Sequence, residues 1–221
     1  MQKTTQMSET FRLGVILAIV GGFLDAYTFV CRGGIFANAQ TGNIVLFGIN
    51  LAEQNYSKAI RYIIPIFAFI IGVILAEIIK NRFKNHDKIH WRQIIIIFEI
   101  TVLIFIAFLP TTENFNMIAN VLVSFVCSLQ VQSFRTMHGN TFATTMCTGN
   151  LRSASEHLYS GISHKNKGDL KSALQYFGII GFFILGGTIG AILSVIFLTP
   201  AVLFACVLLI IVFILMFFDR F

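Results

Sequence analysis

The tripeptide Thr-Gly-Asn occurs at residues 41–43 and again at 148–150, an offset of 107 in a chain of 221 residues. Carrying that offset along the chain lays Ala26 on Ser133, Tyr27 on Phe134, Ile44 on Leu151 and the segment from Ile94 on the one from Ala201. The chain therefore reads as two copies of one unit, residues 1–110 and 111–221, within one membrane domain. Duplicated apolar halves, each with a polar Gly-containing segment, are a recurrent construction of membrane transporters and channels.

Composition supports that reading. Hydrophobic residues make up 56% of the chain and charged residues 12%, roughly half the charge of a soluble domain. An integral membrane protein follows, with the lipid bilayer as its first partner. The net charge of +6 comes from Lys and Arg clustered between the apolar runs, so orientation in the membrane explains it and no nucleic-acid partner is expected. Cys31, Cys127, Cys147 and Cys206 lie in or beside apolar stretches, without CxxC spacing or a His at ligand distance. They read as buried free thiols, with no metal and no cofactor implied. Residues 1–9 are polar, and no small-residue cleavage site precedes Asp25, so no cleavable signal is expected. HExxH, GxSxG, P-loop and CxxC patterns are all missing from the sequence, and the chain is not expected to be an enzyme.

A helix needs about 20 apolar residues to cross the hydrocarbon. Six stretches qualify, at about 11–31, 60–80, 93–110, 117–137, 173–198 and 201–219. Two more, 34–53 and 141–160, are long enough but more polar, and each holds one TGN. The order is span, TGN segment, span, span, and then the same again. Charge distinguishes crossing TGN segments from re-entrant ones. The loop with Lys80, Arg82, Lys84, Lys88 and Arg92 is cytoplasmic by the positive-inside rule. If both TGN segments dip in and return, only Arg32, Lys58 and Arg61 of the 16 Lys and Arg residues fall outside. If both cross, about half of them lie on the wrong side. The sequence thus predicts an all-α protein of two inverted-topology repeats, each with three spanning helices and one Gly-broken re-entrant TGN segment after the first span. Both termini would be cytoplasmic, in a bacterial plasma membrane.

The motifs Gly22-x-x-Asp25-Ala26, Gly33-Gly34-x-Phe36 and Thr41-Gly42-Asn43 resemble the first half of the YoaK-like family of bacterial membrane proteins. Gln130 through Arg135 with Thr144-Thr145-x-x-Thr148-Gly149-Asn150 resembles its second half, so the likeness covers almost the whole chain. The resemblance implies a multi-spanning architecture; it carries no assigned activity and hence no substrate. The second motif often reads TGT in that family, and Asn150 makes the two halves here more alike.

Irregular backbone at membrane depth is tolerated only where protein buries it or where it lines a cavity. The two TGN tips, Thr41, Gly42 and Asn43 with Thr148, Gly149 and Asn150, are therefore the expected substrate-contacting residues, the alternative being that they cap and pack two broken helices. Asp25 lies inside an apolar span, where a carboxylate is costly and so a functional candidate. It is the expected proton- or cation-coupling residue, or else a structural hydrogen-bonding one. Its repeat counterpart is Gln132, which cannot titrate and is a further candidate for substrate contact. Arg32, seven residues after Asp25 on the same helical face, and Arg135 are the expected charge partners or gates. Ser124, Ser128 and Gln132 recur every four residues as a polar stripe, and Thr141, Thr144 and Thr145 belong to the same region; a cavity lining and an interhelical hydrogen-bond seam are the two readings. Glu99 is also deep in its span, with Cys206 as its repeat counterpart. Arg152, Glu156 and His157 read as a solvated helix end or a cytoplasmic gate.

Ala68, Gly72 and Ala76 recur at four-residue spacing, as do Gly186, Gly190 and Ser194. Small residues at that interval let membrane helices approach closely, and the seams join either the two halves or two protomers of a homo-oligomer. Gly72 and Gly186 are 114 residues apart, seven more than the repeat offset, and the polar loop 163–169 is the expected site of the insertion. The functional expectation is a small-solute or ion transporter with a midplane site between the two TGN segments. The alternatives are a channel for a small neutral or weakly charged solute and a non-transporting membrane scaffold.

Overall fold

The computed structural model describes residues 10–84, 90–137, 140–141 and 147–218. They form eight α-helices in chain order: α1 (Phe11–Cys31), α2 (Gln40–Ala52), α3 (Tyr56–Phe83), α4 (Trp91–Ala107), α5 (Glu113–Ser133), α6 (Cys147–Ser163), α7 (Lys167–Phe197) and α8 (Val202–Phe218). A two-residue ladder pairs Thr136 with Thr141 and Met137 with Asn140 between α5 and α6. Helices α1, α3, α5 and α7 and the stretch Thr199–Phe217 are long and apolar enough to cross a membrane. The chain is a multi-pass membrane protein.

The remaining apolar stretch falls short. Helix α4 has 17 residues, about 26 Å at 1.5 Å per residue, against about 30 Å of hydrocarbon. It begins earlier than the hydropathy suggests because His90 and Gln93 form a reciprocal capping box: His90 accepts from the Arg92 N–H at 3.2 Å and Gln93 accepts from the His90 N–H at 3.1 Å. The TGN helix α2, with 13 residues, is about 20 Å long.

The core lies between the first and last helices of each half. Leu17, Val20, Leu24 and Tyr27 of α1, Ile96 and Leu103 of α4, Val123 and Val126 of α5, and Leu209 and Val212 of α8 form one buried cluster. Helix α7 packs on α1 and α3 on α5; α6 then packs on α7 and α2 on α3; α4 pairs with α5 and α8 with α1. Exchanging α1–α4 with α5–α8 converts each of these pairings into another of the same set, and α4 also packs on α8. The outer faces of α3 and α7 expose Phe67, Ile71 and Ile74, and Ile184, Ile192 and Val195, as a lipid-facing surface requires.

The small-residue seams lie between the halves. A side chain at Gly186 would overlap the Ile19 carbonyl of α1, one at Gly190 would press on Phe23, and one at Gly22 would overlap the Phe183 carbonyl of α7. Gly72 of α3 is closed in the same way by Phe125 and Ser128 of α5. The seven extra residues of the second half do not enlarge a loop. The turns between α2 and α3 and between α6 and α7 are equally short, whereas α6 is four residues longer than α2 and α7 three longer than α3.

Candidate functional site

After α1 the chain turns at Gly33 and Gly34, whose φ values of 88° and 76° lie in the left-handed region that favours glycine. It then runs back along the helix that precedes it. The Ala37 N–H donates to Thr28 Oγ1 at 3.3 Å, and the Asn38 and Ala39 N–H groups donate to Asp25 Oδ1 at 3.0 and 3.3 Å. Ala39 has no side-chain acceptor with which to cap α2, and Asp25 accepts from the two N–H groups just before that helix. Gln40, the first residue of α2, donates to Ala37 O at 2.8 Å and to Ser124 Oγ at 2.7 Å, and Ser124 donates to Pro65 O at 2.8 Å. Pro65 is nine residues into α3, about 14 Å from the start of that helix. Helix α2 thus starts within the bundle and ends in the turn that begins α3.

The TGN residues are helical. Thr41, Gly42 and Asn43 sit in the first turn of α2, and Thr148, Gly149 and Asn150 in the first turn of α6. The break expected at Gly42 therefore lies at Gly33 and Gly34. Asn43 is buried and donates to Phe36 O at 2.8 Å and Gln40 Oε1 at 3.2 Å, which holds the returning strand against the helix. Asn150 is likewise buried, while Thr41, Thr148 and Gly149 are exposed. Cys147, at the start of α6, is half-buried. Thr144 and Thr145 lie outside the described residues, and Thr141 belongs to the short ladder.

The other end of α6 is tied to α7. Asp169 accepts from Ser160 at 2.8 Å and from Asn166 at 2.9 Å, and His157 Nδ1 is 3.0 Å from its other oxygen. Arg152 and Glu156 are exposed on the same helix.

The stripe on α5 is a seam. Gln132 donates to Glu77 of α3 at 2.5 Å, Ser128 lies against Gly72, and Ser124 bridges Gln40 to Pro65. Glu99 of α4 is completely buried, and neither of its oxygens has a hydrogen-bond partner among the described residues. Cys206 of α8, its repeat counterpart, lies within electrostatic reach.

Arg32 does not pair with Asp25. Its guanidinium is fully buried and donates to the carbonyls of Ile106, Leu109 and Pro110 at 2.8–3.1 Å, to Asn116 Oδ1 at 3.4 Å and to Tyr27 Oη at 3.0 and 3.1 Å. The orphan carbonyls and negative dipole end of α4 account for its position. Arg135 is exposed beyond α5.

Beside Arg32 lies a cavity of about 230 Å³ whose lining includes Arg61, Glu113, Asn116, Met117 and Asn120. Its mouth carries the Arg61–Glu113 ion pair at 2.7 Å, with side chains 39% and 78% exposed. These residues escape the motif reading, but a signal exists: Asn116 and Asn120 extend the four-residue stripe of Ser124, Ser128 and Gln132 two turns toward the start of α5.

A family model described as "Protein of unknown function (DUF1275)" matches residues 13–215. The chain is similar to the UPF0700 transmembrane protein YoaK of Bacillus subtilis (strain 168), with 24% identity over 159 residues covering 69% of this chain and 68% of that protein. No solved structure matches the chain.

Proposed function

The chain belongs to the DUF1275 family, and from that premise we propose that it is a small-solute transporter of the bacterial plasma membrane. In this reading α2 and α6 are re-entrant, the halves are inverted repeats, and the solute passes the starts of the two TGN helices beside Asp25. The observation that carries the proposal is the hydrogen bonding of Asp25 to the Asn38 and Ala39 N–H groups. It supports a half-length helix that begins inside the bundle, at a buried carboxylate. Helix starts at membrane depth present free N–H groups and a positive dipole end, which suits ion and solute coordination. The pairing of helices across the halves gives two equivalent packing surfaces, as rocking between two accesses requires. Asp25 is the coupling residue: it gains or loses a proton as the solute site changes sides, and both termini are cytoplasmic. Uptake into proteoliposomes under an imposed pH gradient tests this. Asp25→Asn should retain exchange of the solute and lose its dependence on the gradient; uptake that stays equally gradient-driven in the variant contradicts the coupling role.

A further inference from the structure

Helix α6 is charged on its outer face at positions where its counterpart α2 is apolar. Helix α6 starts at Cys147 and α2 at Gln40, 107 residues apart, so the repeat offset holds along both helices. It lays Arg152 on Val45, Ser155 on Gly48 and Glu156 on Ile49. Val45 and Ile49 are exposed, as lipid contact requires. Arg152 and Glu156 are exposed as well, and neither side chain is in an ion pair among the described residues.

The packing of α6 on α7 sets the depth of these charges. On α7 the exposed residues Leu174, Leu185, Ile192 and Ile196 form one stripe, and Leu174 and Ile196 are 22 residues apart. That is about 33 Å of helix, against about 30 Å of hydrocarbon. Exposed Lys171 and Lys167 continue the stripe beyond Leu174, as headgroup-level side chains do, so the hydrocarbon edge falls at Leu174. Helix α6 runs antiparallel to α7: Gly161 lies on Leu170, and His157 stacks on Tyr176 with ring centroids 5.7 Å apart. Counted from that stack at 1.5 Å per residue, Glu156 lies about 5 Å and Arg152 about 10 Å inside the edge. Charged side chains at such depth turn to protein or to water, not to lipid.

At 3.6 residues per turn, Thr148, Arg152, Ser155, Glu156 and Tyr159 share about a third of the helix circumference, and all five are exposed. Leu151, Leu158 and Ile162 border this strip and are exposed too, which adds apolar area beside it. One cation and one anion a single turn apart make the strip self-complementary, since a two-fold axis sets each charge against its opposite. We infer that the chain forms a homodimer across the outer strip of α6, with Arg152 of each copy paired to the partner's Glu156. The inference does not draw on transport and holds equally for a channel or a scaffold.

Charge reversal tests it, with two differently tagged copies of the full-length chain reconstituted at low density in lipid bilayers. The unaltered chain should associate with itself. Arg152→Glu and Glu156→Arg each set like charges opposite one another, and each should weaken self-association at least about tenfold. Mixed together, the two variants should associate again, because every Glu of one copy then faces an Arg of the other. A pair confined to one helix gives no such rescue between copies. In a chain without its native cysteines, Ser155→Cys should be joined into a dimer by a short bismaleimide, and Gly48→Cys on α2 should not. If either reversal fails to fold, that cross-linking comparison decides alone. A monomeric unaltered chain, reversals without effect, or equal cross-linking from Ser155→Cys and Gly48→Cys would overturn the inference. Monomers whose Ser155→Cys reacts with a membrane-impermeant maleimide would also overturn it, and would make the strip a wall of an aqueous path.

Discussion

Gly186 and Gly149 stand in the same half of the chain under opposite constraints. At Gly186 an added Cβ would collide with the Ile19 carbonyl of the neighbouring helix; at Gly149 it would meet nothing within 4 Å. The same contrast separates Gly72, closed by Phe125 and Ser128, from Gly42, whose Cβ would make only an ordinary contact of 3.6 Å with Phe36. The seam glycines let two backbones approach, and no other residue fits there. The motif glycines sit in regular helix, and neither packing nor a turn requires them. The glycines of the repeated motif are thus not the ones that hold the fold together.

Substitution measures that difference. Gly186→Val should be the most damaging, costing about 3 kcal/mol or more through forced separation of α1 and α7; reversible unfolding in mixed micelles reads it. Gly72→Ala on the companion seam should cost about 2 kcal/mol in the same assay, and a neutral outcome there would break the equivalence of the two seams. Asp25→Asn keeps an acceptor for the Asn38 and Ala39 N–H groups and should lose only about 1 kcal/mol, the difference between a charged and a neutral hydrogen bond. Gly149→Ala should be harmless or stabilising by up to about 1 kcal/mol, since alanine is the better helix former. A loss at Gly149 matching that at Gly72 would erase the contrast, whereas unchanged stability with impaired flux would sharpen it.

Much of the fold was legible from hydropathy and spacing. The order of spans and TGN segments follows from where apolar residues run uninterrupted, and the seams follow from Ala68, Gly72 and Ala76 and from Gly186, Gly190 and Ser194. Which helices the seams join was not legible, because spacing reports a small-residue face and not its partner. The break before α2 was misplaced for a related reason. Gly42 stood out through repetition, yet the pair Gly33 and Gly34 carries the positive φ angles. Arg32 was expected near Asp25 from helical spacing. It is claimed instead by the carbonyls of Ile106, Leu109 and Pro110, some 75 residues away, a contact that local sequence cannot signal. Asn116 and Asn120 were legible in principle, as earlier members of a stripe followed only from Ser124 onward. The seven extra residues lie in helix α6 and the start of α7, and the turn between those helices keeps the length of its counterpart between α2 and α3.

The central claim is that α2 and α6 enter and leave the membrane on the same side. Single cysteines at Gln54, Thr112 and Asn166, introduced into a chain without its native cysteines and labelled in intact cells, test it most directly. The account predicts labelling of Gln54 and Thr112 from outside and of Asn166 only after the cells are opened. Labelling of Asn166 from outside would mean that α6 crosses, and the inverted repeat with its shared site at Asp25 would be refuted.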